Sequence, residues 1–261
     1  MTPDSFSDGG RHNRLDDALR RADRMIEEGA AVLDVGGEST RPGATPVEAH
    51  VERQRLVPFV REAARRWSVP ISVDTRRAVV AQAALDVGAS IVNDVSALSF
   101  DEAMAGTIAE SGAGLILMHM RGTPQTMSEL AEYAQVEEEV SAELGQRLLF
   151  AESRGIAVER VALDPGLGFA KTAEQSLRLV GSVAQLLGKG RPVVFGPSRK
   201  SFIGHVLGLP SDERIEGTIA ASVLAYAQGA RIFRVHDVGP VVRALRLTDA
   251  AVREAHNDDR T

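Results

Sequence analysis

Cysteine is absent from the 261 residues. That excludes disulfide staples, thiolate metal sites and a cysteine nucleophile, and it fits a cytoplasmic protein. Aromatic residues are scarce, with one Trp, two Tyr and eight Phe, so the core must be built mainly from Val, Ile, Leu and Ala. No apolar run reaches the roughly 18 residues of a membrane span. The start, Met1-Thr2-Pro3-Asp4-Ser5, lacks the basic-then-apolar pattern of a leader. The expectation is a soluble, unprocessed chain with no membrane partner. A basic surplus is also missing: the formal net charge is −6, which argues against nucleic acid and requires any bound anion to meet a local cluster of cations. The six histidines include no i, i+4 pair, which argues against a zinc site of the metalloprotease type.

What is present points to a layered α/β chain. Hydrophobic residues at 44% and charged residues at 25% are ordinary for a globular protein, and 24 glycines suit many tight strand-to-helix turns. Short aliphatic runs at 31–35, 70–74, 90–95, 115–120, 160–164, 192–195 and 231–235 predict seven strands. Amphipathic stretches at 12–29, 46–67, 76–88, 101–112, 128–155, 172–188, 211–229 and 239–256 predict eight helices, most of them closing at glycine. Strands alternating with helices of this length pair in parallel, and no linker or composition break divides the chain. The expected fold is one (β/α)8 TIM barrel over residues 1–261, its first strand missing.

In such a barrel the chemistry gathers at the C-terminal ends of the strands. Those ends are polar here: Asp34, Asp74-Thr75, Asn93-Asp94, His119, Asp164, Ser198-Arg199-Lys200, and Arg234 with His236. Alternation puts Ser72 with Asp74, Ile91 with Asn93, Ala162 with Asp164, and Ile232 with Arg234 and His236 on shared faces. If those faces turn into the barrel mouth, two carboxylates, a carboxamide, a lysine, an arginine and a histidine converge. Plainer readings stand beside this one. Asp74 is equally suited to capping the next helix, Asp164-Pro165-Gly166 to a simple turn, Ser198–Ser201 to a solvated helix start, and His119 to a hydrogen-bonded structural role. Gly166–Thr172 lacks both the dinucleotide fingerprint and the P-loop spacing, and Ser198 is not in a nucleophile elbow. Buried acids opposite a carboxamide and a lysine suit a flat heterocycle bearing N–H donors, and the local cations suit a phosphate or pyrophosphate.

Seven ordered segments then carry a resemblance: Thr2–Gly10, Gly37–Gly43, Ser72–Thr75, Asn93–Val95, Asp164–Phe169, Ser198–Phe202 and Arg234–Asp237. Together they resemble the dihydropteroate synthase family of folate biosynthesis. The resemblance implies condensation of 6-hydroxymethyl-7,8-dihydropterin pyrophosphate with p-aminobenzoate, giving 7,8-dihydropteroate and pyrophosphate. It implies pterin and pyrophosphate contacts from Thr40, Asp74, Asn93, Asp164, Lys200, Arg234 and His236. It implies p-aminobenzoate contacts from Thr40, Arg41, Pro42, Phe169, Lys200 and Ser201, and catalytic roles for Asp4, Lys200 and Arg234. Mg2+ on the pyrophosphate and a homodimer are implied as well, and the Gly- and Ser-rich loops at 5–10 and 36–43 have a composition suited to lids over the site, one that plain surface loops share.

The family carries a strand ending in a metal-linked Asn just before the Thr-Pro-Asp-Ser-Phe run. Met1 holds that place here, so that Asn is expected upstream of Met1 and no residue of the chain is named as a metal ligand. With that strand restored the expectation is full synthesis, and without it weak or no turnover. Two neighbouring readings share much of the pattern: a methyltetrahydrofolate-dependent corrinoid methyltransferase, and a non-catalytic pterin-binding paralogue.

Overall fold

A computed structural model describes residues 11–41 and 43–257. Asp4, Pro42 and the Thr2–Gly10 segment therefore lie outside the described residues. Seven parallel strands follow one another: β1 (Leu33–Gly36), β2 (Ile71–Asp74), β3 (Ile91–Asp94), β4 (Gly114–Met118), β5 (Val161–Asp164), β6 (Val194–Phe195) and β7 (Ile232–Phe233). Within each sheet every strand pairs with the next in sequence. β1 to β5 form one sheet and β6–β7 a second, and a Leu163–Val193 bridge with a 2.9 Å bond from Leu163 N to Pro192 O joins the two. Sequential parallel pairing with a helix between partners curls the strands into the arc of a TIM barrel.

Helices cover the outside: α1 (Arg11–Glu27), α2 (Ala49–Arg66), α3 (Ala78–Leu85), α4 (Met104–Ser111), α5 (Val136–Ser153), α6 (Ala173–Val180), α7 (Val183–Leu187), α8 (Ser201–Leu207), α9 (Ile215–Ala227) and α10 (Val238–Asn257). Helix α2 shows how sequence drives the layering. Leu56, Phe59, Val60 and Ala63 recur at helical spacing and are buried against Val35, Ile71 and Val73 of the strands. Leu56, Phe59 and Val60 each contribute about 1.5–3 kcal/mol on burial, Ala63 less. A second cluster packs Val92, Leu115, Leu117, Leu163 and Phe195 beneath Leu144, Leu179 and Ala225.

Three stretches differ from the helices expected. The one at 172–188 is two helices, because Gly181 and Ser182 leave the helical ladder. Ser182 Oγ bonds back to Arg178 O, and Gln228 Oε1 accepts the N–H of Val183 at the start of α7. The one at 128–155 opens as a short 3-10 turn, Met127–Leu130, and becomes helical only at Val136, where Glu139 Oε1 takes the N–H groups of Ala134 and Gln135. Helix α8, seven residues long and outside the eight expected stretches, begins at Ser201, where the plainer reading of Ser198–Ser201 put a helix start.

Candidate active site

Register places the polar strand ends on one face. Asp34 pairs with Ser72, Asp74 with both Gly36 and Asn93, and Asp164 with Met118. Residues paired across adjacent strands point the same way, so Asp34, Asp74, Asn93 and Asp164 all face the inside of the arc. Leu163 bridges Val193 while Val194 pairs with Ile232. Alternation then gives Arg234 the same inward face.

Arg234 ties two of these acids together. Its Nε donates to Asp34 Oδ2 at 2.6 Å and its Nη2 to Asp74 Oδ2 at 3.2 Å. Burial opposes ionisation of both. At Asp34 the Arg234 charge wins and holds the carboxyl below its usual range. At Asp74 burial, helped by the Asp34 charge, outweighs Arg234 and pushes the carboxyl up to about 7. Asp164 is also raised by burial, against the N–H of Gly166, which donates to its Oδ1 at 2.7 Å, and the charge of Lys200. Asp74 Oδ1 and Asn93 Oδ1 are buried and meet no donor among the described residues. Two bare acceptors on adjacent strands are what a donor-rich ligand edge would satisfy.

Cations stand opposite. Lys200 Nζ lies 4.1 Å from the centre of the Phe169 ring. Burial and Arg234 push this lysine down to about 8, with Asp164 and Asp74 pulling the other way. The preceding turn is held hard: Arg199 has a left-handed φ of 58°, a conformation that persists only when surroundings enforce it. Thr218 Oγ1 accepts the Arg199 N–H at 3.1 Å, and Arg214 Nη1 donates to the carbonyls of Arg199 and Lys200 at 3.1 and 3.2 Å. The Arg199 guanidinium forks onto Asp237 at 2.9 and 2.6 Å. Ser198 Oγ meets His236 Nδ1 at 2.9 Å. Desolvation and the charges of Arg234 and Arg199 bring His236 down to about 4, so a neutral imidazole stands beside two guanidiniums, a setting that favours an anion.

The loop after β1 is anchored from below. Glu38, buried, receives Arg76 Nη2 at 2.8 Å and Arg77 Nη1 at 2.7 Å, and Arg77 also reaches Glu52 at 2.7 Å. Further along, Gly43 N donates to Pro124 O at 2.9 Å and Gln125 Nε2 to Ala44 O at 2.6 Å. Thr40 is half-buried and Arg41 exposed between these anchors, and the Arg41 charge is felt at Lys200.

Asp74, Asn93, Asp164, Lys200 and Arg234 thus share one mouth, with Phe169 against Lys200 and His236 and exposed Ser201 at its border. The plainer readings divide. Asp74 caps no helix, since the first N–H of α3 goes to Asp101. Asp164 closes its turn and also faces the mouth. His119 takes the structural role: Nε2 meets Glu143 Oε2 and Nδ1 meets Lys171 Nζ, both at 2.9 Å. Asp94 bonds the N–H groups of Ser96 and Leu98 at 2.8 Å and shapes its own loop. The sequence reading assigned no site role to Asp34, although its place two residues before the end of β1 matches that of Ser72 before the end of β2.

Comparison with known proteins accords with this geometry. The pterin binding enzyme family matches residues 1–236. The dihydropteroate synthase of Escherichia coli (strain K12) is 44% identical over 257 residues, covering 98% of this chain and 91% of that protein. The dihydropteroate synthase of Synechocystis is also 44% identical, over 97% of this chain and 88% of its own length. Among solved structures, the Yersinia pestis dihydropteroate synthase with a sulfonamide drug complex superposes with a TM-score of 0.91 at 39% identity, covering 97% of this chain and 91% of that one. The Xanthomonas albilineans enzyme in complex with 7,8-dihydropteroate superposes with a TM-score of 0.86 at 36% identity, over 95% and 89% of the two chains. The chain belongs to the pterin binding enzyme family, among the dihydropteroate synthases.

Proposed function

We propose that this protein condenses 6-hydroxymethyl-7,8-dihydropterin pyrophosphate with p-aminobenzoate, forming 7,8-dihydropteroate and pyrophosphate. One observation carries the reading: the bare buried acceptors Asp74 Oδ1 and Asn93 Oδ1 lie in the same mouth as Lys200 and Arg234. A pterin would lay its amino-pyrimidinone edge along Asp74, Asn93 and Asp164 with Lys200 beside it, while Arg234 and His236 receive the pyrophosphate. Thr40, Arg41, Pro42, Phe169, Lys200 and Ser201 would border p-aminobenzoate, and Asp4 would help shape the site around the developing cation.

In the reaction the arylamine lone pair forms a C–N bond to the pterin methylene. The electron pair of the C–O bond leaves with pyrophosphate, and one amine proton passes to solvent. Cleavage can run ahead of attack because the electron-rich dihydropterin stabilises a methylene cation. The work left to the protein is to hold both partners in line, offset the charge gathering on pyrophosphate and keep water from the cation.

Among the described residues no three His, Asp or Glu side chains gather to hold a metal. Mg2+ would be held mainly through pyrophosphate oxygens and water, as suits a hard cation, and would neutralise charge there. The described helices include none long and apolar enough to cross a membrane, and a cytoplasmic place accords with the lack of cysteine. The family resemblance implies a homodimer, which sedimentation at micromolar concentration tests. The decisive assay supplies both substrates with Mg2+ and follows dihydropteroate and pyrophosphate. Equal release of the two supports synthesis. Pterin binding without turnover, or methyl transfer to a corrinoid, would replace it.

A further inference from the structure

The loop that follows β5 carries both Asp164 and Phe169, and it is tightly wound. Gly166, Gly168 and Ala170 all have left-handed φ, at 65°, 75° and 48°. Glycine accepts that conformation freely, but Ala170 does not, and it is also buried. Lys171 closes the turn around it. Its side chain folds back and Nζ donates to the carbonyl of Phe169, two residues earlier, at 2.9 Å.

The same buried ammonium meets His119 Nδ1 at 2.9 Å, and His119 Nε2 meets Glu143 Oε2 on α5 at 2.9 Å. These contacts assign the protons. Burial, with the positive charges of Lys171 and Arg121, brings His119 down to about 4 against the pull of Glu143, so the ring is neutral near pH 7. Its Nε2–H donates to the Glu143 carboxylate, which leaves Nδ1 as the acceptor for Lys171. Glu143 is held in turn by Arg121, whose guanidinium also bonds Glu139 at 2.8 Å and lies 4.0 Å over the Tyr133 ring. A chain of charge-assisted bonds therefore runs from α5 to the backbone of Phe169. Burial lowers Lys171 to about 7, opposed by Asp164 and Glu143 and assisted by Arg121 and Lys200. A lysine kept there at that desolvation cost, when an apolar side chain would fill the same space, points to the placement of the loop as its task.

The Phe169 ring carries Lys200 Nζ against it, so fixing the Phe169 backbone also fixes the wall on which that ammonium rests. We propose that Lys171 is a positioning residue for the arylamine half of the site, setting Phe169 through its carbonyl and tying that turn to α5 through His119 and Glu143. The inference rests on the reaction proposed above and adds to it a residue to which no site role was assigned.

The test is a comparison of wild type, Lys171→Met, Lys171→Arg and Glu143→Gln in steady-state kinetics with each substrate varied in turn. Lys171→Met should raise the KM for p-aminobenzoate at least tenfold while leaving that for the pterin pyrophosphate within about twofold, and Lys171→Arg should recover part of the loss. Glu143 is partly exposed, so Glu143→Gln preserves the fold if Lys171→Met does not, and it should show the same selective rise at about threefold. An equal change in both KM values, or none, overturns the inference alone. A parent protein that carries the strand upstream of Met1 and still forms no dihydropteroate overturns the reaction and this inference with it.

Discussion

Asp74 and Lys200 show how burial prepares a side chain for its partner. Asp74, pushed up to about 7, holds a proton through much of the range below neutrality. A ligand that donates N–H bonds to this carboxyl favours its ionised form, so binding at pH 6 should release close to one proton per site, and at pH 8.5 almost none. Titration calorimetry of a pterin in two buffers of different ionisation enthalpy reads this directly. Heats that do not depend on the buffer at pH 6 would refute it. Lys200 borders both proposed substrates, so Lys200→Ala should raise both KM values and cost about ten- to a hundredfold in kcat/KM, the scale of a lost charge-assisted hydrogen bond. Unchanged constants for either substrate would show that the lysine serves one pocket only. Asp74, Asn93, Asp164 and Arg234 could be put on shared faces from the sequence because each stands at or just past a strand end, where period-two alternation applies. Lys200, five residues past β6, came instead from its place in the polar run Ser198–Lys200 and from the resemblance. The Arg234–Asp34 pair was not, since its members are 200 positions apart and nothing local couples them. The Glu38–Arg76–Arg77 anchor escaped for the same reason.

At the level of elements, the strands were easier to read than the helices. β1 to β7 coincide with the aliphatic runs, β1 and β4 overrunning theirs by one glycine each, because parallel strands covered by helices need near-continuous apolar sequence. Helix ends depend on bonds from elsewhere, such as Gln228 capping α7 or Glu139 gathering the N–H groups before α5, and those partners are invisible to a local reading. The loop after β5 is the most constrained element of the site. A Cβ added at Gly166 would lie 2.0 Å from the backbone oxygen of His119, at a φ of +65°. Gly166→Ala should therefore destabilise the fold by roughly 3 kcal/mol and disturb both Asp164 and Phe169. Denaturant unfolding measures the first effect, and a midpoint equal to that of wild type would contradict it.

For the whole molecule, a surplus of acid coexists with a local cluster of cations held beside carboxylates, Arg234 on Asp34 and Asp74 and Arg199 on Asp237. The net charge of −6 is no obstacle to an anionic substrate, because Arg234, Lys200 and Arg199 are gathered at one end of the arc. Helix α3 contributes Ala78 and Ala81 to one core cluster and Val80 and Ala84 to the other, so we expect the two halves of the arc to unfold together as one domain. Calorimetry should show one transition whose calorimetric and van't Hoff enthalpies agree, and two separated transitions would mark independent halves. The central claim remains the chemistry. Supplied with 6-hydroxymethyl-7,8-dihydropterin pyrophosphate, p-aminobenzoate and Mg2+, the purified protein with the strand upstream of Met1 restored should form 7,8-dihydropteroate and release pyrophosphate in equal amounts. Pyrophosphate release that continues without p-aminobenzoate, or no release above background with both substrates present, would contradict it.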